Sequence, residues 1–239
     1  GAFRLAGLQP RRAQILDLIE WYDRQFVKLG VTLRLNTYVE ADEIAALAPD
    51  AIILATGALP AETGFQKALP ERDSLPGHDL GQVFSVEDVM SRSARLGRRV
   101  ILLDEAGGWR GCGTAWKLAE DGHEVTLVTP DPMVGRELMR PAVDGALRRR
   151  LHGLGVRFVV ESSIQAWHGD GATIASHLDG AETRIDADSL VLATTKVAMN
   201  ALAQDLRARG IAFAEIGDGV APRQAPYAFH EGRKAALTL

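Results

Sequence analysis

The chain has 239 residues, 46% of them apolar and 24% charged, with a formal net charge of −4, an ordinary globular composition for one large or two smaller domains with no lean toward a nucleic-acid partner. Its single cysteine excludes an internal disulfide or a cysteine-ligated cluster within this chain. No signal peptide is visible at Gly1 and no apolar run approaches the ~20 residues that span a bilayer, so no membrane association and a cytoplasmic location are expected.

Residues 1–10 read as a loop. Over 11–29, Ile15, Leu18, Ile19, Tyr22 and Phe26 recur at helical spacing, and Gly30 ends that helix. Residues 31–35 alternate apolar and polar, which predicts a strand. Residues 41–47 predict a short helix, and 50–60 (DAIILATGALP) a buried strand running into a glycine turn. Residues 61–82 are rich in Pro, Gly and charge and predict a loop; 84–90 predict a short helix.

The strongest signal follows. Val100, Ile101, Leu102 and Leu103 form an apolar run that suits a parallel strand buried on both faces. Glycines come next, then a helical stretch with Ala115, Leu118 and Ala119 on one face. Gly122 ends that helix, and 125–128 predict a second strand. Strand, glycine turn, helix and strand make the first βαβ unit of a dinucleotide-binding domain. Counting back from Gly122 places Gly111 and Gly108 at the third and second positions of G-x-G-x-x-G, with Ala106 at the first. Asp104 and Glu105 are expected to lengthen the turn and to repel a pyrophosphate there. Thr129 and Pro130 stand where a ribose-binding acid is expected. The fold signal therefore exceeds the binding signal: NAD(P) is not expected to bind, and Trp109 is expected to block the pocket.

After Pro130, residues 138–153 predict a helix whose Arg148-Arg149-Arg150 run is a solvated face. Residues 156–160 predict a strand. Residues 164–167, 173–178 and 183–185 predict a three-stranded antiparallel meander, turning at Gly169-Asp170-Gly171 and Asp179-Gly180. Residues 189–194 predict another buried strand, Asn200 caps a helix to Gly210, 211–216 predict a final strand, and a last helix closes the chain. Cys112, near a helix start, has a position that can lower a thiol pKa, though a small packed residue is the plainer reading. His123, His152 and His230 lack neighbours at metal-ligand spacing, so no metal site is expected.

Two stretches carry a resemblance. DAIILATGALP resembles the ATG motif of the FAD domain in flavoproteins with two dinucleotide domains, and AEIGDGVAPRQAPYAFHEGRKAA resembles their C-terminal FAD motif. With an NAD-like domain between them, the chain resembles the C-terminal portion of the trimethylamine dehydrogenase, histamine dehydrogenase and 2,4-dienoyl-CoA reductase group, old yellow enzyme-type oxidoreductases. The acidic turn at Asp104-Glu105-Ala106 resembles the amine dehydrogenase branch.

The resemblance implies an α/β chain with two Rossmann-like domains: an NAD(P)-like domain over 86–204 inserted in an incomplete FAD-like domain over 1–85 and 205–239, whose first βαβ unit is missing. It implies FAD or ADP as the nucleotide of the intact protein, no intact FAD on this chain, and FMN and an iron–sulfur cluster only in a missing N-terminal TIM barrel. That barrel, or another chain, is the implied partner, and a homo-oligomer is implied too. Carried onto this sequence, Ala55, Thr56 and Gly57 would let backbone approach the nucleotide. Asp218 would accept a hydrogen bond from a ribityl hydroxyl, the N–H groups near Gln224 and Ala225 would face phosphate, and Arg223 would pair with it. The implied function is the nucleotide-binding part of a flavin-dependent amine dehydrogenase or demethylase. A non-catalytic Rossmann scaffold and an NADPH-dependent enoyl reductase portion are the alternatives.

Overall fold

The computed structural model describes residues 1–238; Leu239, the end of the expected FAD-like domain, lies outside the described residues. The chain forms two compact units, Gly1–Trp21 with Ala61–Thr195, and Tyr22–Pro60 with Lys196–Leu239. Their extents differ from the expected division: 61–85 and the N-terminal residues pack with the NAD-like part.

In chain order the elements begin with helices α1 (Ala2–Gly7), α2 (Ile15–Lys28) and α3 (Ala41–Leu47). Strands β1 (Ile53–Leu54), β2 (Ala58–Pro60) and β3 (Val83–Ser85) follow, then α4 (Val86–Ser91), β4 (Arg99–Asp104), α5 (Trp109–Glu120) and β5 (Glu124–Val128). Next come α6 (Asp144–Gly153), β6 (Arg157–Val159), β7 (Ser162–Trp167), β8 (Gly171–Ser176), β9 (Glu182–Asp186) and β10 (Ser189–Ala193). The chain closes with β11 (Lys196–Ala198), α7 (Ala201–Ala208), β12 (Ala214–Glu215) and α8 (Ala225–Leu237).

The first unit carries a five-stranded sheet in the order β3-β10-β4-β5-β6, parallel throughout. The apolar run of β4 shows why it is central. Val100 and Leu102 face α4, α5 and α6, meeting Val89, Ala115, Leu118 and Leu151. Ile101 and Leu103 face the opposite side, where Ile164, Trp167 and Ile174 of the antiparallel meander β7-β8-β9 cover the sheet. Each such buried aliphatic side chain contributes roughly 1.5–3 kcal/mol relative to exposure. The expected common sheet for 100–103 and 125–128, and the meander beside it, are both present.

The second unit is thinner. β1 pairs with β12 in parallel, Ile53 opposite Ala214, and β2 pairs with β11 antiparallel. Its core is small: Ala41, Ile44, Leu54, Ala203 and Leu206.

Several local expectations are corrected. Residues 2–7 are helical rather than a loop, with Gly7 lying against Leu16. Residues 83–85 form strand β3, because β10 offers them a parallel edge, and the helix begins only afterwards, capped by a Ser85–Asp88 box. The expected strand at 31–35 does not form; Val31, Leu33 and Leu35 are 50%, 49% and 71% exposed. The expected strand at 211–216 shortens to Ala214–Glu215. Among the described residues, 31–35 have no neighbouring strand to take their backbone groups, and 214–215 have only the two-residue β1. The helix expected over 138–153 divides into a short 3₁₀ turn at Arg136–Leu138 and α6.

Candidate functional site

The chemistry-bearing residues lie at strand ends, one group in each unit. In the first unit β4 extends through Asp104, which pairs with Ala193 of β10. Only Glu105 therefore separates strand from Ala106, and the turn is not lengthened by both acids. Asp104 is 1% exposed. Its Oδ1 accepts the N–H groups of Ala106 and Gly107, each at 3.0 Å. The Cys112 thiol donates to its Oδ2 at 3.5 Å. Burial pushes the Asp104 carboxyl up to about 6, against the lowering effect of those backbone bonds.

Gly108 is the N-cap of α5 and has no side-chain cap. Gly111 stands over Asp104, where any Cβ would overlap the carboxyl carbon. The Cys112 position near the helix start does not lower its pKa. Burial first, and then the Asp104 charge, push the thiol well up, so it is a packed residue. Glu105 turns toward the loop before β3, accepting the N–H groups of Lys67 at 3.0 Å and Ala68 at 3.3 Å, and burial raises its pKa. Trp109 is held from outside: Gln9 Nε2 donates to its carbonyl at 2.9 Å, and the Arg12 guanidinium stacks 4.5 Å from its ring.

Asp131 is a residue that the sequence reading missed. It lies three positions past β5, beyond the expected ribose-binding place, with Oδ1 at 3.0 Å from Arg136 Nε. Its Oδ2 is buried beside Gly107 and has no hydrogen-bond partner among the described residues. Counting on past Pro130 is the signal that would have found it. The arginine run on α6 is a helix face as expected, with Arg148 on Asp144 and Arg150 on Glu120. Among the described residues no cluster of His, Cys, Asp or Glu fits a metal ion.

In the second unit Ala55, Thr56 and Gly57 follow β1. Gly57 has φ +78°, which favours glycine, and open space where a Cβ would lie. Thr56 Oγ1 donates to the Met199 carbonyl at 2.6 Å, and Met199 N–H donates to the Gly57 carbonyl at 2.9 Å. Gly219, past β12, approaches so closely that a Cβ there would sit 2.8 Å from Thr56 Oγ1. Thr56-Gly57 and Gly217-Asp218-Gly219 are thereby brought together at the ends of adjacent parallel strands, the place where open α/β sheets bind ligands.

Asp218 accepts the Arg223 N–H at 3.1 Å and lies 3.7 Å from Lys196 Nζ. The Arg223 side chain is already engaged: it pairs with Glu231 at 2.6 Å and stacks 5.2 Å from the Tyr227 ring. Glu231 also accepts the Gly217 N–H at 2.7 Å, and that bond, then Arg223, holds its carboxyl below the usual range. Gln224 is the N-cap of α8, Ala225 its first residue, and a proline follows. Lys196 and Glu231, which brace this corner, carry no sequence motif and were not anticipated. Gly108 and Gly111 belong to the first unit.

Residues 33–221 match the family described as pyridine nucleotide-disulphide oxidoreductase. A "Probable N-methylproline demethylase" of Rhizobium meliloti (strain 1021) is 33% identical over 178 residues, covering 74% of this chain and 24% of that protein. The structure of 6-hydroxypseudooxynicotine amine oxidase from Pseudomonas geniculata N1 superposes with a TM-score of 0.92 at 26% identity, over 98% of this chain and 36% of that one. Histamine dehydrogenase from Rhizobium sp. 4-9 shares the fold, with a TM-score of 0.89 at 21% identity, over 100% of this chain and 38% of that one. The chain thus spans between a quarter and two fifths of the proteins it resembles. The resemblance to the C-terminal part of the amine dehydrogenase group is borne out. With its doubly covered parallel sheet, its paired glycine turns and this match over most of its length, the chain belongs to the pyridine nucleotide-disulphide oxidoreductase family.

Proposed function

We propose that the chain is the nucleotide-binding part of a flavin-dependent oxidoreductase that acts on an amine. The observation that carries this is the meeting of Thr56-Gly57 with Gly217-Asp218-Gly219 at adjacent strand ends. The open, left-handed Gly57 leaves room for a ligand to lie against backbone, and Asp218 offers carboxylate oxygens beside it. These residues fit one edge of an FAD or ADP. Arg223 and Glu231 act as braces that fix Asp218, not as phosphate ligands, because their charges are spent on each other. Lys196, near Asp218, is the cation on hand for a phosphate. Bound flavin supplies electron transfer; the chain's own residues position it.

The other edge of the nucleotide needs a phosphate-binding glycine turn that this second unit does not contain, so intact FAD is not expected on this chain alone. A barrel bearing FMN and an iron–sulfur cluster, on a longer polypeptide or another chain, is the partner that supplies the chemistry at the amine, in a homo-oligomer. The first unit serves as packing, without NAD(P).

The test is the coding sequence upstream of Gly1 together with the mass of nucleotide released on denaturing the resulting polypeptide. An in-frame flavin barrel and stoichiometric FAD or ADP are expected. A polypeptide without a barrel, or one that releases no nucleotide, overturns the proposal.

A further inference from the structure

We propose that Asp104 supplies, from inside the protein, the negative charge that a pyrophosphate would bring to the glycine turn, and that this one residue bars the first unit from dinucleotides. The inference rests on the reading that this unit takes no NAD(P), and it names the cause.

The geometry is that of a filled anion seat. The N–H groups of Ala106 and Gly107, with Gly107 at φ +59°, form a concave donor pair of the kind that anions occupy. Asp104 Oδ1 accepts from both at 3.0 Å. The same carboxylate lies under the start of α5, a helix of 12 residues whose N-terminus carries partial positive charge and no side-chain cap. A fixed carboxylate there offsets the field that would hold a phosphate.

The seat is also shaped for this residue. Any side chain at 111 would overlap the carboxyl group, so the third glycine of the fingerprint is explained by Asp104 without a ligand. The other titratable or charged groups at the seat are the Cys112 thiol, Arg110 and, on the far side of Gly107, Asp131, whose charge is paired with Arg136 at 3.0 Å. Arg110 is committed elsewhere, to Glu87 and the Thr194 carbonyl, so it does not cancel the charge by pairing.

Trp109, held by Gln9 and Arg12, is the competing barrier, and two variants separate them. Asp104→Asn keeps the volume and an oxygen for the two N–H groups but removes the charge. Calorimetric titration of the folded protein with inorganic pyrophosphate and with NADH is expected to show at least about tenfold tighter binding for Asp104→Asn than for the parent, and no such gain for Trp109→Ala. A gain confined to Trp109→Ala, or none for a folded Asp104→Asn, overturns the role of Asp104 and leaves the NAD-free reading standing. Micromolar binding by the parent overturns both.

A measurement on the parent needs no variant. By NMR across pH, the Asp104 carboxyl carbon and the Ala106 and Gly107 amide protons are expected to titrate together. Amides that do not follow the carboxyl overturn the proposal.

Discussion

Asp104 also sets a stability term at the scale of a single residue. Its carboxyl sits at about 6 in the folded chain against 3.8 when unperturbed, chiefly through burial. The folded state therefore holds this proton more tightly than the unfolded state between those values. Stability contributed here is present below the lower value and is lost as pH rises through the upper one, by on the order of 3 kcal/mol. Asp104→Asn is expected to raise the melting temperature above about pH 7 and to flatten the slope between about pH 4 and 6. Denaturant titrations of both proteins across that window measure it; the same slope in parent and variant would show that the Asp104 carboxylate is solvated. The acid at this position was legible in the sequence. Its direction was not, because nothing in the spacing says that it turns under the helix while Glu105 turns toward Lys67.

Among elements, Arg110 is the tie. From α5 its guanidinium donates to both oxygens of Glu87 on α4, at 2.9 Å each, and to the Thr194 carbonyl past β10 at 2.6 Å. Both side chains are about four-fifths buried, at 23% and 20% exposure, so an unpaired Glu87 is costly. Arg110→Met is expected to destabilise the fold by roughly 1–3 kcal/mol, and Glu87→Gln on top of it to recover part of that loss. A double-mutant cycle in urea reads the coupling, and strict additivity would remove Arg110 from this role. The elements it joins were largely readable. β4, β5 and β10 announce themselves as apolar runs because helices cover one face and the meander the other. β3 was not readable: the Ser85–Asp88 box marks a helix start, and the pairing of residues 83–85 with β10 comes from a partner about a hundred residues away. In the second unit the motif residues around Gly57 and Asp218 were legible, whereas the bracing pair Arg223–Glu231 depends on how the 3₁₀ turn at Gly217–Gly219 and α8 fold back and has no local pattern.

For the molecule as a whole, the two units differ in how far they satisfy themselves. The first unit's sheet has five strands; the second unit's parallel sheet has two, each two residues long. Residues 31–35 alternate as a strand should, yet remain unpaired by any strand, and Val27, Leu29, Leu35 and Tyr38 are 84%, 72%, 71% and 81% exposed. Exposed apolar side chains grouped along one segment mark a surface that takes a partner. In a Rossmann sheet the first strand is central, with later strands on both its sides. On the proposal that this unit belongs with a further segment, the strand pattern at 31–35 and the edges of β1 and β12 would pair with a strand supplied by that segment. A two-stranded sheet of this length gains little from a cooperative ladder. Local opening therefore costs this unit less than the first. In a proven monomer of this chain, amide hydrogen exchange at residues 52–55 and 211–216 is expected to be faster than at 100–103 by at least about tenfold, the scale of 1.4 kcal/mol in opening free energy. Adding the upstream segment is expected to slow the first two and leave the third unchanged. Equal protection at all three in the monomer would mean that the two-stranded sheet is complete as it stands, and that nothing need be supplied to it.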